Sequence, residues 1–295
     1  MKTTQKTQQL LEAISVKLGL DPATCPTWAD ITEDFVPIYW DWPGWLSPGF
    51  LTVLAGQPGI GKSTLCLHLA TSYSIGRPWP DTTPFTAIPG KTLWVESEGG
   101  HRANLARLQS WGLDPAQIVT PFFNFHHPQR NFNLAGKENI TDLLASASRD
   151  DVRLIVLDSL SGLLSGATSP RRLHDLLDSL ARIARFVNKP MLITHNLDQP
   201  TIVNVNGHSH GNGHDNGHGR LNLNHLLSSP VIAQLPRLIW ALDLPDPADP
   251  GHRRLSAIKN NLTLPPHPLS LRIDDHGLHF GPSPLQSSSP AVEFT

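Results

Sequence analysis

The sequence predicts an α/β domain with a mainly parallel central sheet, helices on both faces and an antiparallel C-terminal β extension. Three observations carry this expectation. From residue 49 to about 196, short apolar runs alternate with helical patterns, as in a parallel sheet covered on both sides. One glycine-rich string, Gly56-Gln57-Pro58-Gly59-Ile60-Gly61-Lys62-Ser63, joins such a run to the helix after it. Late in the chain, Leu269-Ser270-Leu271-Arg272-Ile273 and Gly277-Leu278-His279-Phe280 flank Asp274-Asp275-His276, which reads as a β-hairpin.

Residues 5–18 carry Leu10, Leu11, Ile14 and Leu18 at amphipathic helical spacing, closed by Gly19. A Pro- and Trp-rich connector runs through Trp40-Asp41-Trp42-Pro43-Gly44-Trp45-Leu46-Ser47-Pro48-Gly49. It suits packing against the chain's own domain or against a neighbouring subunit, and the sequence does not choose. Phe50-Leu51-Thr52-Val53-Leu54-Ala55 is the first strand; Thr64 to Ala70 continues as a helix with no breaker before Gly76. Lys91 to Glu96 is the second strand. Residues 101–111 form a helix with Leu105 and Leu108 inward. Residues 118–120 are a short strand, 138–148 a helix, 152–158 a strongly apolar strand. The long helix 170–187 carries Leu173, Leu176, Leu177, Leu180, Ile183, Ala184 and Val187 on one side, and 190–195 is the next strand. After a loop without apolar side chains over 206–219 come a short helix near 226–235 and strands over 237–242 and 254–259. The expected organisation is an N-terminal helical arm and linker over 1–38, a nucleotide-binding domain over 39–281 with a flexible His/Gly/Asn-rich loop at 196–224, and a tail at 282–295.

Composition bounds the partners. The 295 residues suit one large α/β domain with extensions, long enough for a sizeable core. A formal charge of −2 provides no global basic field, so any contact with nucleic acid must be local. The two cysteines are Cys25 and Cys66, and Cys66 falls on the helix after the glycine string, which fits a reducing compartment without disulfides. No apolar run approaches the ~18 residues that span a bilayer, and the first residues lack a secretory pattern. The expectation is a cytoplasmic protein with no membrane partner.

The glycine string is G-x-x-x-x-G-K-S without departure, the phosphate-binding P-loop pattern. Its glycines let successive N–H groups turn inward toward phosphate oxygens. Strand, loop and helix in this order aim a helix N-terminus at the same anion. Gly56, Gln57, Pro58, Gly59, Ile60, Gly61, Lys62, Ser63 and Thr64 are therefore the expected nucleotide-binding residues, with Lys62 a point charge for the β- and γ-phosphates and Ser63 a hydroxyl ligand for Mg²⁺. Asp158 ends an apolar strand, and carboxyl ends of parallel strands gather at the ligand edge, so it can reach the Mg²⁺ beside Ser63. Glu98, beside glycines just past the second strand, suits a residue that orients or deprotonates water. Glu96, two positions earlier on the same side of an extended segment, competes for that role. His195, at the end of the next strand, can meet the γ-phosphate or the water, or be an ordinary hydrogen-bonded histidine.

Together these residues resemble the RecA-like ATPases, most of all the branch of hexameric plasmid-type replicative helicases and related small single-domain ATPases of phage and mobile elements. The segment 42–49 shares that resemblance, which runs from about Trp40 to Ile273. It implies a RecA-like P-loop NTPase fold, ATP and Mg²⁺ as cofactors, and a homo-oligomer, a hexameric ring, acting on single-stranded DNA. It further implies Asp158 as the Walker B acid, Glu98 as the catalytic glutamate and His195 as a sensor. Arg254 is implied as an arginine finger, and Lys259 with Asn261 as a Lys-x-Asn element, both acting on a neighbour's ATP.

The DNA-gripping part resembles the family less. Loops 159–172 and 196–224 lack aromatic stacking platforms; the second has Arg220 as its sole Lys or Arg. His208, His210, His214 and His218 lie among glycines without a cysteine, which suits a flexible loop better than a rigid metal site. The leading expectation is an ATP-hydrolysing ring motor on single-stranded DNA. A nucleotide-switched scaffold that assembles without moving along DNA is the alternative. A small-molecule kinase stands last, since no lid-like arginine cluster is visible.

Overall fold

The computed structural model describes residues 27–29, 37–122, 134, 136–164, 169–197, 221, 230–274 and 277–280. The chain separates into two compact units, Met1–Ile38 and Tyr39–Thr295. The helix expected over 5–18, the histidine-rich stretch 206–219 and the tail 282–295 lie outside the described residues. The sheet and its covering helices belong to the second unit.

The elements, in chain order, are β1 (Leu51–Gly56), α1 (Lys62–Ile75), β2 (Lys91–Glu96), α2 (His101–Ser110), β3 (Ile118–Val119), α3 (Lys137–Ala147), β4 (Val152–Asp158), α4 (Leu160–Leu163), α5 (Pro170–Val187), β5 (Met191–Asn196), α6 (Pro230–Gln234), β6 (Leu238–Asp243), β7 (His252–Asn260), β8 (Leu269–Asp274) and β9 (Gly277–Phe280). Among the described residues they form one nine-stranded sheet, ordered β3-β2-β4-β5-β1-β6-β7-β8-β9. The pairings from β3 to β6 are parallel and those from β6 to β9 antiparallel. The mostly parallel sheet with antiparallel C-terminal strands is the architecture expected from sequence.

Burial explains why these runs become strands. Every residue of β1 is buried, as a central parallel strand covered on both faces requires. Side chains alternate across the sheet. Leu54, Trp94, Val156, Leu192 and Trp240 meet α1 through Leu65, Cys66 and Leu69. Val53, Val95, Ile155 and Ile193 face the opposite layer, where α5 contributes Leu173, Leu177, Leu180 and Ala184. α5 starts on Ser169, whose hydroxyl accepts from the Arg172 N–H, with Pro170 in the first turn, and ends at Asn188 with φ 49°.

The helix over 101–110 corrects one expectation. Leu108 is buried, but Leu105 is 43% exposed. The inward positions are Asn104 and Leu108, four apart, because the Asn104 amide bonds a buried carboxylate below it. Leu105 lies about 100° around the helix from Asn104 and so faces outward.

The connector at 42–46 packs on its own domain. Trp42 and Trp45 are buried, stacked at 5.0 Å between ring centroids, with Trp79 stacked on Trp42 at 5.5 Å. Trp240 of β6 meets both edge-on, at 5.8 and 5.6 Å. Trp42→Ala should therefore remove about 3–5 kcal/mol of unfolding free energy. Urea denaturation checks this, and an unchanged midpoint would mean that the tryptophan cluster does not seal this end of the core.

Candidate functional site

A cleft of about 430 Å³ opens at the carboxyl ends of β1, β4 and β5. Pro58, Gly59, Ile60, Gly61, Lys62, Ser63 and Thr64 form its floor; Arg107, Ser110 and Trp111 stand on one side and Ile273, Asp274 and Gly277 on another. Gly56 and Gln57, at the strand end of the loop, do not line the cleft; their carbonyls receive the Lys62 ammonium. Lys62 is buried and its Nζ donates to Gly56 O at 2.9 Å and Gln57 O at 2.8 Å. Burial lowers its pKa to about 8, against the pull of Asp158 and Glu98, which favour the charged form.

Glycine is required at two loop positions. A Cβ on Gly56 would lie 2.7 Å from the Leu242 carbonyl of neighbouring β6. Gly61 has φ 107°, and a Cβ there would sit 2.2 Å from Ile273 Cδ1. Gly61 also precedes α1, whose first N–H groups then face the cleft.

The strand ends bring the carboxylates together. Asp158 lines the cleft and accepts from Thr194 Oγ1 at 2.6 Å. Past the β2–β4 pairing, Ser97 N donates to Asp158 O at 2.8 Å, and the Ser97 hydroxyl donates to Ser159 O and accepts from Ser159 N, each at 2.8 Å. This clamp fixes where the chain leaves both strands. Glu98 emerges beside it, exposed at the cleft, where its Oε1 accepts from the Ser159 hydroxyl, from Ser161 Oγ at 3.0 Å and from Asn196 Nδ2 at 3.4 Å.

Glu96 has a different environment. It is buried, accepting from Glu98 N at 3.0 Å and Asn104 Nδ2 at 3.1 Å. Burial raises its pKa, partly offset by backbone N–H donors from Glu98 and Gly100. It braces the turn that presents Glu98 and does not line the cleft.

Three further residues singled out by sequence, His195, Arg254 and Lys259, do not line the cleft. His195 is absent from the cleft lining, whereas Asn196 is part of it. Strand alternation is the reason: Leu192, Thr194 and Asn196 share the α1 face with Asp158, and His195 falls on the face of Ile193. Arg254 points the same way as His195 and forms a two-pronged pair with Asp243, Nε to Oδ1 and Nη2 to Oδ2, both 3.0 Å. Asp243 sits directly across the β6–β7 ladder, which explains the pairing. Lys259 Nζ donates to the carbonyls of Ala233 and Gln234 at 2.9 and 2.8 Å, closing the C-terminal end of α6. The neighbour of Arg254, Arg253, lines the cleft, as Arg107 does. The parity that separates these pairs is visible in sequence once the face of one residue per strand is known.

The donors fit a hard divalent cation. The Ser63 hydroxyl and the Asp158 carboxylate line one cleft, and the described residues hold no cluster of three or more His, Cys, Asp or Glu. One carboxylate and one hydroxyl match Mg²⁺ that completes its shell with phosphate and water.

Residues 21–199 match the family described as AAA domain. A DNA repair protein RAD51 homolog 2 from Arabidopsis thaliana is 28% identical over 167 residues, covering 50% of this chain and 42% of that protein. The chain thus spans about two fifths of that relative's length. The crystal structure of the RadB recombinase aligns with a TM-score of 0.49 at 18% identity, covering 79% of this chain and 91% of that one. No helix among the described residues is long and apolar enough to cross a membrane. With more than half of the chain matched, the chain belongs to the AAA domain family, and its phosphate loop and strand-end acid line one cleft.

Proposed function

We propose that the protein hydrolyses ATP within a homo-oligomer, a hexameric ring, and couples that hydrolysis to remodelling of single-stranded DNA. The observation that carries the nucleotide part is the convergence of Lys62, Ser63, Asp158 and Glu98 on one cleft. Lys62 and the loop amides bind the phosphates, and Ser63 and Asp158 hold Mg²⁺. When bound, Mg²⁺ neutralises negative charge on the phosphate oxygens. Glu98 orients the attacking water and takes its proton; the hydrogen bonds from Ser161 and Asn196 set the position of its carboxylate. Glu96 supports that turn from below. Arg254 and Lys259 serve a neighbour's nucleotide by exchanging their partners, Asp243 and the α6 carbonyls, for phosphate. His195, on the opposite face from Asn196, carries nucleotide state toward the loop after β5.

A second reading draws on the similarity to a DNA repair protein: nucleotide-driven assembly on DNA, as in a recombinase, without translocation. The two readings share the site and differ in what DNA does to turnover.

The site assignment predicts separable defects. Glu98→Gln should keep ATP binding while lowering kcat by about 10²–10⁴-fold. Glu96→Ala should instead cost about 1–3 kcal/mol of stability by leaving buried donors unpaired. Calorimetric binding, steady-state ATPase assays and thermal melts distinguish them; normal turnover in Glu98→Gln would move the catalytic role elsewhere.

Particle size in light scattering, with and without a non-hydrolysable ATP analogue and an oligonucleotide, tests the assembly. A motor should form rings with the analogue, and single-stranded DNA should accelerate its ATPase. Assembly on DNA without acceleration supports the recombinase-like reading. A particle that remains monomeric and hydrolyses ATP at full rate overturns both.

The trans role of Arg254 has its own test. Arg254→Ala and Lys62→Ala proteins, each with low turnover, should recover part of the activity when mixed. No recovery at any ratio would remove Arg254 from the neighbour's site.

A further inference from the structure

A phosphate loop works only if its amides face the anion and its carbonyls face away. A flipped peptide would aim a carbonyl dipole at phosphate. In this chain the peptide between Ile60 and Gly61 ends on a glycine with positive φ, where such a flip meets little steric resistance. Gly59 and Gly61 have φ of 74° and 107°, and glycine reaches both signs of φ at little cost.

That peptide is held from an unexpected direction. Arg253, almost two hundred residues away on β7, donates from Nε to Ile60 O at 2.8 Å. Its Nη1 donates to Pro250 O at 2.5 Å and His252 O at 2.8 Å, which anchors the guanidinium to the start of its own strand and the turn before it. Burial outweighs the nearby Asp249 charge and lowers the Arg253 pKa from its ordinary value, but an arginine remains charged at neutral pH. The bond to Ile60 is therefore charge-assisted and stronger than one between neutral groups. From adjacent β8, Ile273 covers the same peptide over Gly61.

Resting on the nucleotide-binding reading above, we infer that Arg253 is a positioning residue of its own protomer's phosphate site, locking the Ile60–Gly61 peptide with the carbonyl toward β7 and the Gly61 N–H toward the anion. A planar trans peptide points its C=O and N–H in opposite directions, so fixing one aims the other. The antiparallel extension thereby becomes part of the phosphate cradle. The adjacent residue of the same strand, Arg254, faces the other side and has no part in this contact.

Isothermal titration with inorganic pyrophosphate and with MgADP tests the inference, using wild type, Arg253→Ala and Arg253→Lys, each with a thermal melt of the nucleotide-free protein. Arg253→Ala should weaken both ligands about tenfold. Arg253→Lys should weaken them nearly as much, because an ammonium keeps the charge but cannot give the Nε–Nη1 fork. The Lys variant also keeps the test available if the Ala variant fails to fold. Melts close to wild type with weakened binding support positioning. Wild-type affinity in Arg253→Ala, or full recovery in Arg253→Lys, overturns it. Wild type that binds neither ligand would overturn the nucleotide-binding reading itself.

Discussion

Alternation of side chains along β-strands, two residues per repeat, decides which groups meet the phosphate loop. The face that packs on α1 holds Trp94, Val156 and Leu192 in the core. Continued to the carboxyl ends, the same parity brings Asp158, Thr194 and Asn196 to the loop. On β7 it turns Arg253 toward Ile60 and leaves Arg254 on the reverse side with Asp243. Shifting any of these strands by one residue would exchange the site for the opposite layer. The core and the site are therefore one constraint: the apolar packing that fixes register also selects the polar groups at the sheet edge.

Several charged groups brought near the core have defined partners, and that keeps the cleft in shape. Lys62 loses solvation and recovers it from two loop carbonyls and two nearby carboxylates. Glu96 rests on Asn104 and the turn that leads to Glu98. Asp243 holds both prongs of Arg254. At the far end of the sheet, Tyr73 donates to Asp41 at 2.5 Å beneath the tryptophan cluster, and burial raises the pKa of that carboxyl. Buried groups of this kind cost most when one partner is removed. They specify geometry more than they add stability.

Much of the fold is legible in sequence because its elements have strong local signals. β2 and α5 have the limits expected from periodicity, and the hairpin at 269–280 follows from turn residues between alternating runs. The phosphate loop is equally local, since eight consecutive residues contain its glycines, lysine and hydroxyl. Leu105 is misplaced by an apolar spacing of three, whereas the buried stripe is set by Asn104 and its carboxylate partner. The choice between Glu96 and Glu98 is not legible, because both fall on one side of the strand. Only depth separates them: one lies beneath the turn, the other at the cleft.

By itself the sequence determined the α/β alternation, the antiparallel finish, the phosphate loop and the acid at the end of β4, because each is written in neighbouring residues. Tertiary structure decided that the tryptophans at 42 and 45 cover their own core, that Asn196 and not His195 lines the cleft, and that Arg253 braces Ile60. These depend on register between strands far apart in the chain. Proximity across 193 positions leaves no local pattern to read.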